Sequence, residues 1–207
     1  SNDYKELYSR WFQFSAFTPV FRAHGTNVPR EVWQFGEKGT PFYDNQVKYI
    51  HLRYRLLPYI YSMSHQVTAN NYTLLRGLAM DFTTDTRTFD IDNAYMFGTS
   101  LLVRPVFHPQ SEEKNISVYL PEHNGGYWYD FWTGKAFEGG REQMQANTLD
   151  ILPLYVKAGS ILPLAEVKQY AMEYPDRELE LRIYGGADAF FLWYEDEGDS
   201  YRYEDGV

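Results

Sequence analysis

The sequence predicts an α/β segment that forms the C-terminal part of a (β/α)8 barrel, followed by an antiparallel β-sandwich. Three observations support this fold class. Before residue 71, apolar residues recur at helical spacing in two stretches, and a short strand with polar residues at its end lies between them. After residue 82, short β-rich runs alternate with Pro, Gly and Asn turns.

The first stretch predicts an amphipathic helix that ends before Pro19. Asp3 and Glu6 have capping-box spacing at its start. Its apolar face has i, i+3, i+4, i+7, i+8 spacing and consists of Tyr4, Leu7, Tyr8, Trp11 and Phe12. This pattern is typical of a helix on the outside of a barrel.

A short strand is predicted next, ending on Arg22, His24 and Gly25. In a (β/α)8 barrel the C-terminal ends of the strands carry the functional groups, so Arg22 and His24 are expected to project into a site. Phe21 is expected to pack below them with Val20, while Gly25 lets the backbone turn away.

The second stretch predicts a longer helix that begins near Asp44. Pro58 lies inside it and should kink it, and Asn70 and Asn71 suit its C-terminal end. Its predicted core stripe alternates three and four spacing and consists of Val47, Ile50, Tyr54, Leu57 and Tyr61.

Six short runs after residue 82 predict the sandwich strands, at residues 100–106, 115–120, 127–131, 151–156, 179–184 and 189–194. The change in character places one domain boundary near residue 84. A connector at residues 166–175 places a second near residue 166. We therefore expect a barrel end at 1–84, a proximal sandwich at 85–165 and the start of a distal β-domain at 166–207.

Composition narrows the class of function without identifying it. The 207 residues carry a net charge of −9, which disfavours a nucleic-acid partner, and no apolar run is long enough to span a membrane. The absence of cysteine excludes disulfides and thiol catalysis but leaves the cellular compartment open. Aromatic residues make up 18% of the chain, which weakly favours a neutral carbohydrate substrate because sugars stack on such rings.

Five ordered stretches, together with residues 10–25 and their FRAHG string, resemble glycoside hydrolase family 31. The stretches are residues 73–82, 95–106, 127–134, 154–163 and 192–203. The resemblance implies the end of a catalytic barrel and its C-terminal β-domains. It also implies a retaining α-glycosidase that needs no cofactor or metal and acts on an oligosaccharide or another α-glycoside.

Such an enzyme uses two carboxylates, whereas only about 80 residues here precede the β-rich part and a full barrel needs about 250. In the family both catalytic aspartates lie on earlier strands. The resemblance therefore places the nucleophile and the acid/base upstream of Ser1, and this chain alone is expected to be inactive. Its partner would be the rest of the parent chain, or a second copy bound through exposed barrel helices.

The resemblance assigns a substrate-binding role to His24, which in the family hydrogen-bonds sugar hydroxyls next to the nucleophile. The competing interpretation is a buried histidine satisfied by backbone groups. Arg22 either tunes a buried carboxylate or holds two strands together. Trp33 either lines the rim of the pocket or packs on the second helix.

The segment with FRAHG also favours one class of substrate within the family. FRAHG with residues 30–33 resembles the α-xylosidases of the family, which we therefore favour over its α-glucosidases. A noncatalytic carbohydrate-binding or scaffold module is the alternative from another class.

Two further patterns have competing interpretations. The acidic run at residues 195–199 is interpreted as a hairpin turn and not as a calcium loop, because it lacks EF-hand spacing. The aromatic run at residues 127–132 is interpreted as a strand with one face in the core and not as a sugar platform.

Overall fold

A computed structural model describes residues 1–173 and 178–205. Its first part is helical: α1 (Asn2–Ser15), α2 (Pro41–Arg55) and α3 (Leu57–Asn70), with a short 3-10 helix at Val32–Gln34. The predicted first helix is confirmed, but the capping box predicted at Asp3 and Glu6 is wrong. Ser1 is the N-cap, and its hydroxyl accepts a hydrogen bond from the Tyr4 N–H at 3.3 Å.

The predicted second helix consists of two helices that meet at Leu56. Pro58 has no N–H to donate and therefore lies in the first turn of α3, where that donor would have no partner within the helix. Asn71 ends α3 in the left-handed conformation with φ 53°, as its position suggested.

The predicted core stripe of the second helix is wrong by about half a turn. Tyr61 is exposed, and the other four residues of the stripe are only half-buried. The buried hydrophobic face of α2 and α3, with the Leu56 between them, consists of Tyr49, Leu52, Leu56, Tyr59, Ile60 and Met63. The chosen stripe counted apolar character alone, whereas these helices bury tyrosine rings whose hydroxyls find partners.

The second part is built from antiparallel strands. They are β1 (Leu75–Gly77), β2 (Tyr95–Phe97), β3 (Leu101–Val103), β4 (Asn115–Leu120), β5 (Tyr127–Asp130), β6 (Ala136–Glu138), β7 (Arg141–Ala146), β8 (Leu154–Lys157), β9 (Ser160–Leu164) and β10 (Glu180–Tyr184). One six-stranded sheet has the order β1-β2-β3-β8-β5-β6, and the pairs β4-β7 and β9-β10 complete the strands. The predicted barrel end followed by antiparallel sheets is confirmed.

Two local predictions differ from the structure. Residues 189–194 are irregular and form no strand, and residues 195–199 form a bend without paired strands on either side. In contrast, the core interpretation of the aromatic run is confirmed, since Trp128 on β5 is fully buried while Tyr127 beside it is exposed.

Short helices lie between and after the strands. α4 (Leu78–Asp81) follows β1, a 3-10 helix at Thr86–Asp90 precedes β2, and another lies at Arg202–Asp205. β1 precedes the predicted boundary near residue 84 yet pairs with β2, which follows it. The boundaries at 84 and 166 remain predictions, and the connector at 166–175 reaches beyond the described residues at its last two positions.

One hydrophobic core joins the helices to the sheets. Tyr59 of α3 is buried, donates its hydroxyl to the Phe97 carbonyl at 2.8 Å and accepts the Ser100 N–H at 3.1 Å. Tyr49 of α2 accepts the Leu152 N–H at 2.7 Å in the same way. Each tyrosine therefore satisfies the backbone of the sheet region while its ring fills the core.

Residues 147–152, here called the docking loop, bind the two barrel helices through polar contacts. Arg10 of α1 donates to the Thr148 carbonyl at 2.8 Å and to Asn147 Oδ1 at 2.7 Å. Asn45 of α2 donates to the Leu149 carbonyl at 2.7 Å. Arg10, Asn45 and Asn147 are all buried, so these contacts replace water on both sides of the junction.

In the described part of the chain, no helix is both long and apolar enough to cross a membrane.

Candidate functional site

The segment that carries Arg22 and His24 leaves the end of α1 through a turn at residues 16–19. Residues 20–25 are irregular, so the predicted strand is absent. A strand exists only where a neighbour supplies ladder hydrogen bonds, and no described strand pairs with this segment.

Arg22 and His24 lie on the same cleft of about 330 Å³. One wall of the cleft is α1, and the other is the segment with Phe21, Arg22, Ala23, His24 and Arg30. Both predicted side chains are exposed, which is contrary to the alternative of a buried histidine. The structure therefore brings these two candidates together where they can contact a ligand.

The α1 wall of the cleft is largely aromatic, and its rings pack against rings of the loop that follows. The ring of Phe12 meets that of Phe21 edge to face at 4.8 Å, and the ring of Tyr8 stacks on that of Phe35 at 4.3 Å. The Tyr8 hydroxyl donates to the Arg30 carbonyl at 3.1 Å. Burial is the main cause that raises the pKa of Tyr8, so its hydroxyl stays protonated and available as a donor.

Arg30 closes the cleft beside His24, and the sequence did not single it out as a site residue. Its Nη1 donates to the His24 carbonyl at 2.9 Å. The guanidinium lies across Gly25, where an added Cβ would overlap it. Gly25 is therefore required for this close approach of the guanidinium, and its φ is not positive.

Trp33 lies apart from this cleft. It is on the 3-10 helix at Val32–Gln34, is 68% exposed and is not a lining residue. The residue that anchors this loop is Phe35, which is buried against Tyr8. The sequence offered both aromatics in one short run, and nothing in their spacing distinguished the buried one.

The acidic run at residues 195–199 is an internal network. The Asp196 carboxylate accepts the Tyr61 hydroxyl at 2.6 Å, the Tyr194 hydroxyl at 2.7 Å and the Gly198 N–H at 2.8 Å. These hydrogen bonds, that of Tyr61 first, lower the pKa of Asp196. In the described ranges, no three His, Asp or Glu side chains cluster as metal ligands would.

The cleft contains groups that orient a ligand but no pair of carboxylates. Among the described residues that line it none is Asp or Glu, and the Arg and Lys side chains among them, Arg22 and Arg30, are cations. Guanidinium and imidazole groups donate hydrogen bonds to hydroxyl and carboxylate oxygens. The cleft can therefore hold a polyhydroxylated ligand, but it cannot supply the nucleophile and proton donor of glycoside hydrolysis.

Two family models match this chain in succession. Residues 1–63 match the model described as the glycosyl hydrolases family 31 TIM-barrel domain, and residues 71–162 match that of the family 31 C-terminal domain. The first match includes Arg22 and His24, and the second includes the docking loop.

Curated relatives match almost the whole chain. An α-xylosidase of Saccharolobus solfataricus is 45% identical over 204 residues, which are 98% of this chain and 27% of that protein. α-Glucosidase 2 of Bacillus thermoamyloliquefaciens is 34% identical over 206 residues, 97% of this chain and 25% of that protein. The chain thus spans about a quarter of the length of these relatives.

Solved structures agree. A family 31 α-xylosidase from Xanthomonas citri superposes with a TM-score of 0.92 at 42% identity, covering 99% of this chain and 22% of that one. A Flavobacterium johnsoniae family 31 dextranase mutant, complexed with isomaltotriose, superposes with a TM-score of 0.88 at 34% identity, covering 98% and 25%. From the order of helices and antiparallel sheets, the paired family models and these relatives, the chain belongs to glycoside hydrolase family 31.

Proposed function

We propose that the chain is the C-terminal part of the catalytic unit of a retaining α-glycosidase, with an α-xylosidase favoured. The observation that supports this proposal is that Arg22 and His24 both line one cleft with an aromatic wall, within the residues that match the family's barrel domain. The nucleophile and the acid/base are proposed to lie outside these 207 residues, and in support of this no described lining residue of the cleft is a carboxylate.

His24 is proposed to hydrogen-bond hydroxyls of the sugar whose glycosidic bond is cleaved. Such bonds tighten as the ring flattens toward an oxocarbenium ion, so they stabilise the transition state more than the bound substrate. The backbone of His24 is already fixed by Arg30, which leaves the imidazole exposed toward the cleft. Its proposed role is orientation and transition-state stabilisation, because no described residue that lines the cleft is a carboxylate that would activate the imidazole as a nucleophile.

Arg22 and Trp33 are proposed as secondary contacts. Arg22 lies on the same cleft, where it would pair with a carboxylate of the site or with an adjacent strand of the barrel. Trp33 is exposed and outside the cleft, so its proposed place is an outer rim that contacts the leaving part of a longer substrate.

The test of His24 uses the full-length enzyme and a nitrophenyl α-glycoside. His24→Ala should lower kcat/KM by roughly 10²-fold and leave the melting temperature nearly unchanged, because a lost transition-state contact costs a few kcal/mol. His51→Ala is the matched control, since His51 is an exposed histidine on α2 away from the cleft. Equal kcat/KM in the two variants would refute the proposed role of His24.

The proposed substrate preference is for α-xylosides. Its support is the identity to α-xylosidases, 45% and 42%, against 34% to the glucosidase and the dextranase. A pocket closed around C5 would exclude the hydroxymethyl group of glucose, so an aryl α-xyloside should be hydrolysed in preference to the matching α-glucoside. The opposite preference would leave the family intact and make the parent an α-glucosidase.

The proposed partner of this chain is the rest of its parent or, in the isolated piece, a second copy. Leu7 and Trp11 on α1 are 54% and 61% exposed. They border a second cleft of about 910 Å³, whose far side includes Phe107, itself 60% exposed. An apolar surface of this kind is unusual on a soluble monomer, and we propose that association covers it.

A further inference from the structure

Arg53 of α2 binds the turn that connects α1 to the cleft. Its Nη1 donates to the carbonyls of Ala16 at 2.9 Å and Thr18 at 2.6 Å, and its Nη2 donates to the carbonyl of Pro19 at 3.0 Å. In the described ranges 1–173 and 178–205, no carboxylate pairs with this guanidinium. Its partners are backbone carbonyls at and just beyond the negative end of the α1 dipole, where a cation is favourable.

Tyr95 of β2 binds the carbonyl of Phe17, which lies between two carbonyls that Arg53 binds. Its hydroxyl donates to the Phe17 carbonyl at 2.8 Å. The Thr18 hydroxyl lies within 2.8 Å of both the Ser15 and the Val20 carbonyls. Side chains of α2, of β2 and of the turn itself thus contact every carbonyl from residue 15 to residue 20.

These contacts hold the start of a segment that has no strand pairing in the described part of the chain. Residues 20–25 form no ladder with any described strand, so their position depends on the turn before them, on the packing of Phe21 against Phe12 and on Arg30 after them. Phe17 is completely buried within the turn, which fixes its depth in the core. A shift of the turn would move Arg22 and His24 together.

We propose that Arg53 and Tyr95 are positioning residues for the sugar site, holding the turn at residues 16–19 so that His24 lies at the correct height in the cleft. The inference rests on the proposed function of His24. The guanidinium suits the task because its planar fork can bind several carbonyls at once, which an ammonium group cannot do with the same geometry. Burial lowers the pKa of Arg53 to about 10, which leaves it a cation at neutral pH.

The variants that test the proposal are Arg53→Gln and Tyr95→Phe in the full-length enzyme. The Tyr95 change removes a single hydroxyl and keeps the ring, so it should fold even if the Arg53 change does not. Two matched controls are available. Arg55→Gln, on the same helix, removes a guanidinium that binds Ala165 and Glu180, and Tyr59→Phe removes a buried hydroxyl that does not contact the turn.

The first measurement is amide hydrogen exchange of residues 16–18, whose N–H groups donate hydrogen bonds to the carbonyls of Phe12, Phe14 and Ser15. Both test variants should speed exchange in this segment relative to their controls, because the freed carbonyls allow the turn to open. Exchange at the level of the controls would overturn the proposal, whatever the role of His24.

The second measurement is a double-mutant cycle with His24→Ala. Each test variant should lower kcat/KM by about tenfold in the wild-type background, since a small misplacement of a binding group is costly. In the His24→Ala background the same change should cost less than about twofold, because the group being positioned is gone. An equal loss in both backgrounds would make Arg53 and Tyr95 merely structural, whereas full activity of His24→Ala alone would refute the proposed function instead.

Discussion

Removal of the Asn147 side chain should weaken the junction between the barrel helices and the β-sheets. This buried amide donates to the carbonyls of His108 at 3.2 Å and Glu113 at 2.9 Å. Its Oδ1 accepts from Arg10 Nη2 at 2.7 Å. Asn147→Ala would leave two carbonyls unpaired and deprive a buried guanidinium of one of its partners.

The expected loss follows from these three hydrogen bonds. The two neutral bonds contribute about 1 kcal/mol each, and the bond from the charged donor contributes about 2 kcal/mol. We therefore expect Asn147→Ala to lower the free energy of unfolding by about 4 kcal/mol. For a protein of this size that corresponds to a fall in melting temperature of about 10 °C.

The assay is urea and thermal unfolding of the 207-residue chain at one fixed concentration, because association would make the midpoint depend on concentration. Asn70→Ala is the control: Asn70 is exposed at the end of α3, and its change should cost less than about 0.5 kcal/mol. In a cycle with Arg10→Met, the coupling to Asn147→Ala should be about 2 kcal/mol. Equal midpoints for the two asparagine variants, or strictly additive losses in the cycle, would refute the reasoning.

Three further predictions follow from other contacts. Burial opposes ionisation of Asp85, but hydrogen bonds from the Glu122 N–H, Tyr119 and Arg87 hold its pKa below its usual value. The ionised carboxylate therefore stabilises the folded protein fully above pH of about 4, the pKa of an unfolded Asp, and this stabilisation is lost as pH falls through the folded pKa. Asp85→Asn should thus lower the free energy of unfolding by about 2 kcal/mol at pH 7 and flatten its decline in acid, and an unchanged acid profile would contradict this. Gly98 has φ 63° and an added Cβ would overlap the Tyr59 hydroxyl, so Gly98→Ala should lower the free energy of unfolding by about 3 kcal/mol. Gly134→Ala is the control and should lower it by about 1 kcal/mol, because Gly134 has φ 73° but open space around it; urea midpoints measure both. Light scattering should give the isolated chain a mass above that of the monomer, and a second assay should find no release of nitrophenol from α-glycosides. A monomeric mass would contradict the first expectation, and turnover above background would contradict the second.

The sequence predicted what depends on local pattern. The α1 periodicity, the left-handed end at Asn71 and the buried Trp128 each follow from residue type and spacing, and each is found in the structure. The strands β2, β6 and β7 lie outside the six predicted runs, because β2 and β6 have only three residues each and the residues of β7 are mostly polar. β7 pairs with β4, which is distant in the chain and which no local pattern reveals, whereas β6 pairs with the neighbouring β5.

The candidate site was predicted in part for the same reason. Arg22 and His24 share one short segment, so a local motif identified both. Arg30 acts on that segment from later in the same loop, and Arg53 acts on it from α2, both through backbone carbonyls that carry no sequence signal. The choice between Trp33 and Phe35 also required the position of Tyr8, which lies more than twenty residues earlier.

The gap between the two family models, residues 64–70, lies inside α3 (Leu57–Asn70), whose Tyr59 reaches into the sheet. Chimeras that join the barrel of one family member to the C-terminal domain of another at this gap would separate Tyr59 from its native Gly98 and Ser100. They would also separate Arg10 from its native docking loop. Recombination should therefore succeed where both parents carry the same residues at these contacts, and a crossover chosen by domain annotation alone should yield insoluble protein.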